Sequence, residues 1–106
     1  MDDYLDLFLN YLQVEKGLSR NTLEAYSRDV AGYLDFLDGI GCPAPANIRP
    51  IDVASFLQKL KEGGLGPRSR ARALSAVRMF HRFLMIENYC DINPTTIIES
   101  PRTRRT

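Results

Sequence analysis

Apolar residues recur every three or four positions in four separate stretches, the spacing by which an α-helix buries one face. The first stretch covers residues 2–16, with Tyr4, Leu5, Phe8, Tyr11 and Leu12 on one stripe. Asp2 and Asp3 suit the positive end of its helix dipole, and Gly17 after Lys16 marks its stop. The second begins near Ser19 and carries Leu23, Tyr26, Val30, Tyr33, Leu34 and Leu37. Ser19 or Asn21 can cap it, and Asn21 with Glu24 three residues on has capping-box spacing. Gly39 and Gly41 close it, and Pro43 and Pro45 force a loop. The third starts around Pro50, turns Val53, Phe56, Leu57 and Leu60 inward, and ends at Gly63-Gly64. Gly66-Pro67 opens the fourth, which runs to about Asn88. After Asn93-Pro94, residues 95–99 have room for one helical turn, and residues 100–106 are basic, polar and aperiodic. No stretch alternates with the two-residue period of a strand. The pattern predicts an all-α bundle of four helices with short connections.

Charge changes the picture in the fourth stretch. Residues 68–84 hold five arginines and no acid. At about 100° per residue, Arg68, Arg72, Ser75, Arg78 and Arg82 share an arc of roughly 120°. Ala73, Ala76, Val77, Phe80, Phe83 and Leu84 lie on the other side. Ser69 and Arg70 belong to the same basic run, with Arg70 off the arc. The net charge of +1 hides a split along the chain. Residues 1–66 carry ten acids against six bases, whereas residues 67–106 carry three acids against eight arginines. Solvated helix faces usually mix signs. A row of arginines with no carboxylate on its own helix suits a run of phosphates instead. The arc therefore reads as a nucleic-acid surface, with a helical module docking an acidic protein as the alternative.

The start of the second helix is the other candidate. Ser19, Arg20, Asn21 and Thr22 gather donors where backbone N–H groups lack helical partners, a ready anion site as well as a cap. Tyr26 reads as core. Arg28 has two readings, a phosphate contact or a pair with Glu24. His81, the sole histidine, falls between the apolar and basic faces and reads as boundary packing. Nothing beside it makes a nucleophile–base pair. Cys42 and Cys90 lack metal-ligand spacing, and Gly63-Gly64-Leu65-Gly66 has no P-loop lysine. No metal, cofactor or small-molecule substrate is expected. The chain has neither a signal-peptide start nor an apolar run of membrane-spanning length, so it reads as cytoplasmic.

Residues 15–29, EKGLSRNTLEAYSRD, resemble the opening of tyrosine site-specific recombinases of the XerC/XerD type. So do residues 69–84 with their RALSAVR core, and Asn93-Pro94 and Ser100-Pro101-Arg102 resemble the exit into an interdomain linker. Phage and transposon integrases share this pattern. The resemblance implies a SAM-like four-helix core-binding domain over residues 1–99 and the beginning of a linker over 100–106. It implies double-stranded DNA as partner, gripped between this domain and a catalytic one, with other recombinase protomers alongside. The family's catalytic arginines, lysine, histidines and tyrosine belong to the C-terminal domain, and no catalytic residue carries over to this stretch. His81-Arg82 lacks H-x-x-R spacing, so the stretch is not expected to be an enzyme by itself. The matching DNA-facing positions are Ser19, Arg20, Asn21 and Thr22, together with the run from Arg68 to Arg82. The first helix, with Asp2, Asp3 and Asp6, is expected to face away from DNA, and in the family it also helps contact a neighbouring protomer.

Overall fold

Helices form where the periodicity places them. The computed structural model describes residues 2–96. It contains α1 (Asp2–Tyr11), α2 (Arg20–Gly39), α3 (Pro50–Glu62) and α4 (Pro67–Ile86), with no strand among the described residues. The expectation of one regular first helix through residue 16 needs correction. After Tyr11 the chain widens into a π-helical turn, Leu12–Lys16. Leu12 is wholly buried, but residues 13–16 are all exposed, so no core contact ties them to the regular pitch. Gly17, left-handed at φ 60°, then ends the segment as expected.

Local chemistry sets the other boundaries. Ser19 alone caps α2, its Oγ accepting from the Thr22 N–H at 3.3 Å, while Asn21 lies inside the helix. At α3 the Asp52 carboxylate accepts from the Arg49 backbone N–H at 2.9 Å and from its guanidinium. Burial pushes the Asp52 carboxyl up, but these Arg49 bonds outweigh it and leave it below the usual carboxylate range. Helices α2, α3 and α4 end in one motif, with a left-handed residue just past the cap (Gly41, Gly64 and Asn88). In α4 the Tyr89 N–H reaches Leu84 O at 2.8 Å and the Asn88 N–H reaches Met85 O at 3.1 Å. That is a Schellman cap, so the helix stops at Ile86, two residues before the expected end. Beyond it the Asn93 side chain accepts from the Thr95 N–H and hydroxyl, making a turn through Thr96. The rest of the expected turn at 95–99, and the tail, lie outside the described residues.

One aromatic core joins the helices. Phe8 of α1 meets Phe80 edge-on at 5.3 Å and Phe83 at 5.7 Å. Tyr33 of α2 packs on Phe56 of α3 at 5.1 Å and on Phe80 at 6.4 Å. The buried positions of α4 include Leu74 and His81, so its inner face covers about half the helix circumference. His81 is therefore not at a boundary. It is 1% exposed, and its Nε2 shares a 2.7 Å hydrogen bond with the Tyr33 hydroxyl. The donor of that bond follows the imidazole tautomer. Nδ1 has no partner among the described residues.

Burial holds the His81 imidazole down at about 4, against an ordinary 6.5. Between those values the unfolded chain takes up a proton that the folded chain refuses. Stability is thus full above about pH 6.5 and falls as the pH drops toward 4, by about 3 kcal/mol at most. The Asp52 contribution is lost only below the ordinary carboxylate value of 3.8, outside this window. Denaturant unfolding at successive pH values should show the decline, and His81→Gln should flatten it between pH 6.5 and 4. An unchanged slope in that variant would place its origin elsewhere.

Candidate nucleic-acid interface

Because α4 buries its aromatic half in the bundle, the opposite half is held outward. Arg68, Arg72, Ser75 and Arg82 are exposed there. Arg78, at the edge of the arc, is half-buried, as are Ser69 and Arg70. Arg70 works on the fold. Its Nη1 donates to Leu65 O at 2.9 Å and closes the turn between α3 and α4.

No acid lies on the arc's own helix, as the sequence reads, but α2 brings one to it. The arginines of the arc are not all without a carboxylate. Arg72 donates Nε to Asp29 Oδ2 at 2.9 Å and Nη2 to Asp29 Oδ1 at 3.0 Å, a two-toothed pair between α4 and α2. Hydrogen bonding to Asp29, reinforced by its charge, raises the Arg72 guanidinium above its ordinary value. Asp29 escaped notice because periodicity describes one helix at a time, and the partner lies 43 residues away. Among the described residues Arg68 and Arg82 make no hydrogen bond or ion pair.

Helices α2 and α4 meet in the same order along both helices, Asp29 with Arg72 and Tyr33 with His81. They therefore run with a parallel component. Arg28, on the exposed side of α2 next to Asp29, does not pair with Glu24. It lines an open hollow of about 230 Å³ with Asp29, Lys59 of α3, and Ala73. Lys59, absent from the sequence reading, sits 5.5 Å from the Phe36 ring centre, which anchors its stem beside that hollow. No charge run marks it in the sequence, since α3 carries acids and bases together.

The start of α2 divides between two flanks. Thr22 is seven residues from Asp29, nearly two full turns, and falls on the flank that faces α4. Its hydroxyl accepts from the Ser19 hydroxyl at 3.0 Å. Arg20 is nine residues from Asp29, two and a half turns, and falls on the opposite flank. There it lines a groove of about 460 Å³ between α1 and α2, with Leu9, Leu18, Leu23 and Glu24. Asn21 is exposed. Ser19, Thr22, Arg28 and the α4 arc are thus compatible with one continuous face, while Arg20 looks toward α1.

Among the described residues no group of three His, Cys, Asp or Glu could hold a metal ion, and Cys42 and Cys90 are free thiols. Among the described residues no helix is long and apolar enough to cross a membrane.

The family model for the phage integrase N-terminal SAM-like domain matches residues 5–88. The tyrosine recombinase XerD of Chlorobaculum tepidum is 41% identical over 101 residues, 95% of this chain and 33% of that protein. The tyrosine recombinase XerC of Oceanobacillus iheyensis is 39% identical over 96% of the chain and 33% of its own length. The tyrosine recombinase XerD of Staphylococcus saprophyticus is 39% identical over 99% of the chain and 36% of its own length. No solved structure matches. The chain spans about a third of the length of these relatives. Four helices around one aromatic core, matched over residues 5–88, make this chain a member of the phage integrase N-terminal SAM-like domain family, the domain it shares with XerC- and XerD-type tyrosine recombinases.

Proposed function

We propose that this chain binds duplex DNA as the core-binding part of a tyrosine recombinase. On this reading residues 1–99 are that domain and residues 100–106 begin the linker to a catalytic one. The two would close on DNA from opposite sides in the cytoplasm, beside other protomers, for site-specific recombination and integration. Resolution of chromosome dimers is the cellular task that a XerC- or XerD-like protein would serve. Cutting and rejoining through a phosphotyrosyl intermediate would fall to sequence outside residues 1–106. The residues within this stretch would hold the duplex and take no part in bond breaking.

The observation that carries this reading is the outer face of α4. Arg68, Arg72, Ser75 and Arg82 emerge from a helix whose other half is locked in an aromatic core. No acid on that helix competes for them. Guanidinium groups meet phosphate oxygens through forked, charge-assisted hydrogen bonds, and each contact releases condensed counterions. Arg28 and Lys59 extend the positive face onto α2 and α3. Phosphate contacts of this kind place a domain on the duplex, and few side chains need reach the bases.

With about five phosphates contacted, the log–log dependence of affinity on salt should have a slope near −4 to −5. Fluorescence anisotropy with labelled duplex should then show a loss of several-hundred-fold between ~50 and ~200 mM salt. A flat response would contradict DNA binding through this face. Replacing Arg68 and Arg82 together by Ala should reduce the slope by about 2, one unit for each lost phosphate contact. Both side chains lie outside the core, so the melting temperature should stay within about 2 °C of the parent.

A further inference from the structure

Asp29 is an acid on a face proposed to bind a polyanion, and its geometry explains why it is there. The Asp29 side chain is 10% exposed, and that of Arg72 is 44% exposed. The carboxylate therefore sits beneath the guanidinium and does not share its outer surface. It grips one edge, through Nε and Nη2. A guanidinium has five N–H groups, and two are used here. Three remain, and the Nη1 and Nη2 pair among them forms a second fork on the outer edge.

We propose that Asp29 is a positioning residue for DNA binding, holding the outer fork of Arg72 square to a backbone phosphate of the duplex. The proposal rests on the DNA-binding reading above and adds to it a role for an acid. A free arginine on a helix surface samples many rotamers and loses that freedom when it binds. Arg72 has lost much of it already, because Asp29 fixes both the plane and the direction of its head group. A two-toothed contact to phosphate needs that plane set correctly. The remaining charge of Asp29 weakens the attraction, and the burial of the carboxylate under Arg72 keeps that charge away from the contact.

The alternatives differ in sign. If Asp29 acted on DNA only through its charge, Asp29→Asn would raise the net charge from +1 to +2 and tighten binding. If it only braced the fold, Asp29→Asn would lower the melting temperature and leave the affinity of folded protein unchanged. Positioning requires weaker binding by fully folded protein, and the effect must pass through Arg72.

The test uses this chain, a fluorescein-labelled duplex of mixed sequence at ~50 mM salt, and circular dichroism to fix the folded fraction. Asp29→Asn should bind about fivefold more weakly than the parent at full helicity. Arg72→Lys keeps the charge but lacks the fork, and should lose a similar amount. In an Arg72→Ala background the Asp29→Asn change should no longer weaken binding, since the pair acts as a unit. Asp29→Asn binding as tightly as the parent, or more tightly, would overturn the proposal. So would a full fivefold loss that persists without Arg72. A parent chain with no affinity for duplex would remove the DNA-binding reading itself, and this proposal with it.

Discussion

The crossing of α2 and α4 is the constraint on which the rest of the molecule depends. Tyr33 and His81 meet there in a wholly buried hydrogen bond, surrounded by Phe56 and Phe80. A polar pair in an apolar core is costly unless it is made, so it favours one register of the two helices over its neighbours. That register fixes the rotation of α4 about its own axis. Rotation in turn decides which residues are core and which are surface. Ala73, Ala76, Val77, Phe80 and Leu84 turn inward, and Arg68, Ser75 and Arg82 are left in water.

The same crossing produces an ion pair that ties the positive arc to α2. Asp29 lies one turn before Tyr33 and, from there, reaches Arg72. A surface pair of this kind contributes little to stability, on the order of 1 kcal/mol or less. Its value lies in direction. Burying the carboxylate under the guanidinium leaves a cation with a defined orientation at the surface. The bundle thus presents two kinds of arginine. Arg68 and Arg82 are free to follow a phosphate, whereas Arg72 is aimed.

Much of the fold was legible in the chain, because amphipathic periodicity and turn residues act locally. Four helices, the proline start of α3 and α4, and the glycine stops all follow from neighbours within a turn or two. The misjudged features needed contacts across the fold. The π turn after Tyr11 reflects which residues find a core to pack against. The depth of His81 depends on Tyr33, 48 residues away. The Asp29–Arg72 pair could not be seen on a helical wheel of α4, which correctly showed no acid but could not include another helix. Arg70 was correctly held apart from the arc by its angle, and the carbonyl of Leu65 is what it turns toward. Arg20 illustrates the limit of motif reading. It stands beside Ser19 and Thr22 in sequence, yet half a turn separates its direction from that of the α4-facing flank.

The central claim is that an aromatic anchor on one half of α4 turns the other half into a DNA-binding surface. An NMR titration of this chain with duplex DNA tests it most directly, by showing which backbone amides move. The shifts should concentrate on the outer arc of α4 from Arg68 to Arg82, on Arg28 and Asp29, and on the start of α2 at Ser19 and Thr22. Asp3, Asp6 and Leu7 on α1 should stay still. Shifts confined to α1, with α4 unmoved, would contradict the claim.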